Sequence, residues 1–203
     1  MGRTEEAEQA FRRAIEINPK YGPSYSRLGF LLLDEERWDE VRNQLETAVE
    51  LSDKYAGGQR SLAWLALLQK GDVELARQWA DTAHKIEPSH QGTKLTQIAV
   101  EGWSGHFETL KELGVWFGTV RMKNYETIYS YRQKLGALLG RLARQQSLQP
   151  VAAALQPMAA HHFIQPFFQG IQAWLAGQPP ESLENIPARQ FLQAIIKHAK
   201  PLE

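Results

Sequence analysis

Residues 25–54 read YSRLGFLLLDEERWDEVRNQLETAVELSDK, and this stretch decides the fold. Tyr25, Leu28 and Leu32 are three or four residues apart around Gly29, which places them on one face of a helix. Small or apolar residues recur with the same spacing between positions 41 and 49, after a polar turn. The stretch therefore predicts two helices that fold back on one another, each with one apolar face.

The pattern of the second helix occurs three times along the chain. It closes at Asn18-Pro19, Ser52-Asp53 and Glu87-Pro88, which are 34 and then 35 residues apart (positions 18, 52 and 87). A period of this length is typical of helical hairpins that stack side by side, because one hairpin alone cannot bury its apolar stripe. The recurring residues are Ala7, Phe11, Ala14 and Ile15; Val41, Leu45, Ala48 and Val49; and Ala76, Ala80 and Ala83.

These residues resemble the tetratricopeptide repeat, whose signature is W-x2-L-G-x2-Y…A-x3-F…P over 34 residues. The resemblance is specific from Gly2 to about Pro88 and weaker between Gly92 and Phe117. It implies an all-α fold, a right-handed superhelix of helical hairpins over residues 1–118, with a truncated first repeat and a degenerate last one. It also implies a non-catalytic scaffold that binds a protein partner.

Departures from the family pattern carry further predictions. Asp53 replaces the usual proline, so the helix before it is expected to run on toward Tyr55 until Gly57-Gly58 ends it. Trp64 occupies the place of the small glycine, which predicts a hairpin that is spread apart or shifted. Gly2-Arg3-Thr4 fits the turn between two helices of a repeat. We therefore expect a fragment of a larger protein, whose first helix could pair with a second copy of the chain as a homodimer.

Composition limits the function classes. The 203 residues carry no net charge, so no general attraction to nucleic acid or membrane is expected. The chain has no Cys, which excludes a disulfide framework and thiolate metal sites. No apolar run approaches the roughly 20 residues needed to cross a bilayer. A cytoplasmic location is expected, although the composition fits the periplasm equally.

Charge and proline content change near Gly118. Residues 1–118 contain 19 acidic and 14 basic side chains, whereas residues 119–203 contain 4 and 9. We therefore predict a divergent helical region over 119–203 that packs on the repeats or continues the solenoid. Within it, residues 122–146 are predicted to form one long amphipathic helix. Its polar side carries a basic stripe, which comprises Lys123, Lys134, Arg141 and Arg144.

The end of the chain is also predicted to be helical. Pro157 and Pro166 favour short or kinked helices. Phe168-x-Gly170-x-x-Ala173-Trp174-x-x-Gly177 faintly resembles the first helix of a tetratricopeptide repeat. A last helix is predicted from Ile186 to about Ala199, with Pro187 near its start.

Catalytic, metal and cofactor sites have no support in the sequence. The histidines show no i, i+4 pair, and the adjacent His161-His162 would point about 100° apart on a helix. Gly57-Gly58 lacks the Lys-Ser/Thr that would follow in a phosphate-binding loop. The acidic residues at 34–36 and 39–40 are expected to solvate a turn between helices. No enzyme activity, metal or cofactor is therefore predicted.

The resemblance places the first helix of each hairpin on a concave face that binds a peptide or a partner helix. The lysine, asparagine and arginine of the carboxylate-binding members are absent there, so an apolar or amphipathic segment is the expected ligand. Phe30→Ala or Leu65→Lys is expected to abolish binding with the helices intact. The family positions that would line this groove are Ser26, Phe30, Leu33, Ser61, Leu65, Leu68, Leu95 and Ala99.

Three alternatives remain open. The groove residues could be structural and covered in cis by the helices after Gly118. The chain could be a regulatory or substrate-docking domain of a larger enzyme. It could also be a nucleic-acid adaptor that uses the basic helix 120–146, with Tyr125, Tyr129 and Tyr131 stacking on bases.

Overall fold

The computed structural model describes residues 2–110, 112, 134–143, 148–159 and 165–199. Within these ranges every element is helical and no strand occurs. None of the described helices is long and apolar enough to cross a membrane. The chain folds into two compact units, Met1–Val100 and Glu101–Glu203. The boundary predicted near Gly118 lies outside the described residues and stays a prediction.

The first unit is a series of antiparallel helices. Helix α2 packs on α3 and α4 packs on α5, while α1 packs on α2 and α3 packs on α4. The predicted all-α arrangement of helical hairpins is thus confirmed, and the right-handed sense of the superhelix stays a prediction. The helices are α1 (Gly2–Ile17), α2 (Gly22–Leu32), α3 (Trp38–Leu51), α4 (Gly57–Lys70), α5 (Val73–Ile86) and α6 (Gln91–Trp103), the last of which extends past Val100.

A glycine allows α2 and α3 to approach closely. A Cβ atom added to Gly29 would lie 2.5 Å from Leu45 Cδ2, well inside van der Waals contact. Leu28 and Leu32 beside it are buried, as is Leu45. The glycine of the repeat signature therefore sets the distance between the two helices of the hairpin, and the flanking leucines fill the seam.

The turn between α3 and α4 differs from the prediction. Helix α3 ends at Leu51, because Ser52 is extended with φ −152° and ψ 94°. Gly57 and Gly58 begin α4 instead of ending α3, so the expectation of a longer α3 is wrong. The reason is steric: a Cβ on Gly57 would lie 2.3 Å from Tyr55 Cε1, and one on Gly58 would lie 2.9 Å from Val49 Cγ2.

The second unit has its own helical hairpin, in which α9 packs on α10. The last helix has the predicted limits, and the short helices around Pro157 are confirmed. Of the long helix predicted at 122–146, the structure describes only residues 134–143, which are helical. The helices are α7 (134–143), α8 (Gln149–Leu155), α9 (Gln165–Leu175) and α10 (Ile186–Ala199).

Three glycines bring α7 and α9 close to α10. A Cβ on Gly136 would lie 2.6 Å from Ala194 Cβ, and one on Gly140 would lie 2.5 Å from the backbone oxygen of Ile195. A Cβ on Gly170 would lie 2.7 Å from Phe191 Cδ1. Gly170 thus has the same part in the α9–α10 hairpin that Gly29 has in the α2–α3 hairpin.

Candidate partner-binding surface

The predicted groove positions fall on α2, α4 and α6, at matching places along each helix, except that Leu33 begins the short 3-10 helix Leu33–Glu35 after α2. Ser26, Ser61 and Leu95 form one set, and Phe30 and Leu65 belong to the next. All of the predicted lining residues except Phe30 are buried in this conformation. They are Ser26 (3% exposed), Leu33 (2%), Ser61 (3%), Leu65 (2%), Leu68 (2%), Leu95 (0%) and Ala99 (1%).

Phe30 differs from the rest of this set because it is half-buried. It lies on α2 one residue after Gly29, so its backbone is fixed by the tight packing of α2 on α3. The prediction that the other positions meet a partner is untested by this arrangement and stays a prediction. In the conformation described, Phe30 is the member of the set with appreciable exposed area.

Trp64 connects α4 with α6. Its indole is fully buried, and Nε1 donates a hydrogen bond of 3.1 Å to Thr96 Oγ1. The Thr96 hydroxyl in turn donates to the backbone oxygen of Gly92 at 2.8 Å. The large side chain therefore fills space beside the next first helix, and α4 still packs on α5. The expectation that Trp64 spreads or shifts the hairpin stays a prediction.

A partly buried ion pair connects the first turn of α4 with the end of α5. Arg60 Nη1 lies 2.7 Å from Glu87 Oε2, at the residue that caps α5, and 3.4 Å from Thr93 Oγ1. The guanidinium carbon is 5.9 Å from the centroid of the Tyr55 ring, which is within cation–π range. The sequence patterns did not predict this cluster. A lone arginine in the otherwise uncharged run from Gly57 to Gln69 signals that a partner exists, but it does not identify Glu87 or Thr93.

The ionisation of Glu87 reflects this pairing. Burial raises the pKa of the carboxyl group. The hydrogen bond and charge of Arg60, together with the backbone N–H of Ala56, lower this pKa by a larger amount. The net result is a pKa below the ordinary value of 4.5. Glu87 is therefore ionised at neutral pH and holds Arg60 within the unit.

An inter-repeat ion network joins α1 to α3. Arg12 and Arg37 each contact Glu8 and Glu40; Arg37 Nη1 lies 2.9 Å from Glu8 Oε1 and 3.0 Å from Glu35 Oε2. Hydrogen bonds from Arg12 and Arg37 lower the pKa of Glu8 against the opposing effect of burial. Glu35 and Glu40 thus form specific pairs, whereas the sequence suggested only a solvated turn.

Helix α1 is covered less well than its counterparts. Phe11 and Ile15 are only half-buried, whereas Leu45 in α3 and Ala80 in α5 are buried. Ile17 at the end of α1 is 85% exposed. The homodimer predicted through this helix is not tested by a single chain and stays a prediction.

The basic stripe is only partly described. Lys134 is fully buried on α7, so in this conformation its ammonium group is not available to a phosphate backbone. Arg141 is half-buried. Lys123 and Arg144 lie outside the described residues, as do the tyrosines at 125, 129 and 131. The described part of the stripe therefore gives no support to the nucleic-acid reading.

Histidines and carboxylates do not assemble into a metal site in the part of the chain that the structure describes. His106 Nδ1 lies 2.8 Å from Glu101 Oε2 in an exposed pair just after α6. His161 and His162 fall outside the described ranges.

Stacked hairpins with these close glycine contacts define a helical-repeat protein. Residues 1–21, which comprise α1 and the following turn, match the family model for the tetratricopeptide repeat. No curated protein matches the chain. The match supports assignment to the tetratricopeptide repeat family, whose repeats generally mediate protein–protein interactions and whose fold is typically a non-catalytic module.

Proposed function

We propose that this chain is a non-catalytic protein-interaction module that binds an apolar or amphipathic partner segment at the side of α2 that carries Phe30. The observation that supports this most directly is the stack of helical hairpins, in which Phe30 keeps exposed area on α2 at a position that the family resemblance assigns to the inward face. Aromatic side chains that are partly exposed on a rigid element are frequent anchors of protein interfaces.

The chemistry of the partner follows from the absence of cations at the predicted groove positions. Those positions hold serine, alanine, leucine and phenylalanine. Arg60, the nearest cation on α4 in sequence, is already paired with Glu87. A terminal carboxylate would lose its hydration without gaining a counter-ion, so an apolar segment is favoured.

The buried positions do not make good probes of binding. Leu65 is 2% exposed, so Leu65→Lys would place a charge in the core and cost several kcal/mol of folding free energy. The expectation that this variant keeps its helices is therefore replaced by an expectation of unfolding. Any contact of a partner with Leu33, Leu65, Leu68 or Leu95 requires that whatever covers them first moves.

The test is affinity capture from the native cell with the chain as bait. Truncating Phe30 to Ala removes about 1.5–3 kcal/mol of apolar burial if the ring is covered by the partner, which is roughly ten- to a hundredfold in recovery. Leu75→Ala on α5 is the matched control, because Leu75 is also an exposed apolar side chain. Circular dichroism of both variants verifies that the helices are intact. Equal recovery by wild type and Phe30→Ala would reject this surface.

A further inference from the structure

A polar cleft lies in the second unit, between the last turns of α9 and the loop that leads to α10. Its volume is about 650 Å³, in the range of sites that hold small ligands. Alanine side chains on one side leave the space open. The lining residues are Gln169, Gln172, Ala173, Ala176, Gln178, Ser182, Leu183, Glu184 and Asn185.

Hydrogen bonds hold the loop side of the cleft in place. The Ser182 hydroxyl donates to the backbone oxygen of Pro179 at 2.7 Å. Arg189 on α10 donates to the backbone oxygen of Leu183 through Nε at 3.0 Å and through Nη2 at 2.6 Å. Asn185 Oδ1 accepts from the backbone N–H of Ala188 at 3.1 Å. The wall is therefore formed before any ligand arrives, which reduces the entropic cost of binding.

The charge of the lining disfavours anions. Glu184 is the charged residue among the nine that line the cleft, and Lys, Arg and His are absent from this set. Within the lining, a phosphate or carboxylate would meet a negative side chain and no cation, and the guanidinium of Arg189 behind the wall already donates to the backbone oxygen of Leu183. A neutral or cationic ligand is favoured.

Side-chain amides supply most of the hydrogen-bonding groups. Each amide presents one acceptor oxygen and two donor hydrogens, which complements the single C=O and N–H of a peptide group. Gln169 Oε1 is buried and accepts no hydrogen bond within the described part of the chain. Because this oxygen has almost no accessible surface, a ligand N–H would reach it only after the Gln169 side chain turns toward the cleft, and the amide would then gain the hydrogen bond that it lacks.

The α9–α10 hairpin carries an amide, that of Gln169, at a position where the α2–α3 hairpin carries an apolar side chain. Gly29 is preceded by Leu28, which is buried in the core of the first unit. Gly170 occupies the corresponding close contact in the second hairpin and is preceded by Gln169. An apolar packing position of one hairpin thus carries a polar group in the other, at the wall of the cleft.

We infer that this polar cleft binds the main chain of an extended peptide segment, with a lysine or arginine of that segment near Glu184. The amides pair with peptide groups, and the carboxylate selects for a basic side chain. The inference rests on the proposed role as a protein-binding module, but it uses a surface that does not include Phe30.

The test is a titration of the full chain monitored by ¹H–¹⁵N correlation spectra. The probe is a capped pentapeptide of glycine with a central lysine, and the comparison probe has a central glutamate. The inference expects shifts at the side-chain amides of Gln172, Gln178 and Asn185, with the lysine peptide binding more tightly. Gln172→Ala should weaken binding about fivefold, which is the loss of one or two hydrogen bonds. Gln78→Ala, an exposed amide on α5, is the matched control and should leave binding unchanged.

A second variant separates the charge effect from the amide effect. Glu184→Gln should remove the preference for lysine over glutamate and leave the amide shifts in place. The inference is overturned if no shift occurs up to about 10 mM peptide, because the Kd would then correspond to a binding free energy weaker than roughly 3 kcal/mol. It is also overturned if the glutamate peptide binds wild type as tightly as the lysine peptide does. Phe30→Ala distinguishes the two proposals. If Phe30→Ala keeps the peptide-induced shifts at the cleft and also captures the partner as well as wild type does, the α2 surface alone is rejected. If the peptide causes no shifts while capture depends on Phe30, the cleft alone is rejected.

Discussion

Gly140 and Gly170 lie on different helices, and both face α10, but an added methyl group would meet different atoms. At Gly170 the nearest atom belongs to the Phe191 ring, whereas at Gly140 it is the backbone oxygen of Ile195, with Ala199 N at 3.0 Å. The Phe191 ring is buried but can shift through its side-chain torsions, whereas the backbone of a helix cannot shift without breaking the packing of the whole helix.

The first prediction compares these two glycines. Gly140→Ala should destabilise the second unit by about 2–3 kcal/mol, because overpacking against backbone far exceeds the 0.5–1 kcal/mol that alanine gains in a helix. Gly170→Ala should cost roughly 1 kcal/mol or less. Urea unfolding followed by circular dichroism measures both. An equal or larger loss for Gly170→Ala would contradict the assigned contacts.

Glu87 supports the second prediction, which concerns pH. Its pKa is lower in the folded chain than the ordinary value, so its contribution to stability is complete above about pH 4.5 and is lost as the pH falls through the folded value. Glu87→Gln should therefore reduce the unfolding free energy at pH 7 by about 1–3 kcal/mol, since Arg60 loses its counter-ion.

The pH profile provides the check. The stability difference between wild type and Glu87→Gln should narrow steadily below about pH 4.5. Glu50→Gln is a control, because Glu50 is an exposed carboxylate on α3. A stability difference that stays constant from pH 7 to pH 3 would show that loss of the ion pair with Arg60 is not the cause of the destabilisation.

At the scale of one helix, Asp72 determines where α5 begins. Its Oδ1 accepts a hydrogen bond of 3.0 Å from the backbone N–H of Leu75. Asp72→Ala should cost about 1 kcal/mol, the usual value for loss of an N-cap. Asp81→Ala makes the same chemical change at an exposed position inside α5 and should be neutral or slightly stabilising. Thermal melts of the two variants distinguish a cap from a general loss of charge.

Helix ends were predictable where local signals decide them and not where distant contacts do. The limits of α10 follow from Pro187 and the apolar spacing after it, and the structure has the same limits. Gly57 and Gly58 are ambiguous locally, because paired glycines can end one helix or begin the next. Here the close approach of Tyr55 and Val49 decides, and such contacts are not visible in a single sequence.

The candidate site, like the helix ends, was predictable from the sequence only in part. Periodicity identified which face of each first helix would be apolar, but it could not tell whether that face is exposed. Leu65 and Leu68 are buried, whereas Phe30 at an equivalent face keeps exposed area. The cluster around Arg60 was missed because its partners, Glu87 and Thr93, are 27 and 33 residues away.

At the scale of the whole first unit, burial varies along the series of helices. Helix α4 is buried from Gly57 to Leu68, whereas none of the described side chains of α1 is fully buried. In repeat proteins each hairpin is stabilised mainly by its neighbours, so end helices open first. We therefore expect amide hydrogen exchange to be slowest in α4 and fastest in α1 within this unit. Equal protection of the two helices would argue against a linear repeat.

The burial of the predicted groove also constrains association kinetics. A partner that docks on Phe30 alone meets a preformed surface, so the observed first-order rate constant of association should rise linearly with partner concentration. Leu65 and Leu68 are buried, so a partner that reaches them can bind only a minor open state. Its observed association rate constant should then level off at the rate of opening. Stopped-flow mixing at increasing partner concentration would thus reveal how deeply a ligand enters the repeat.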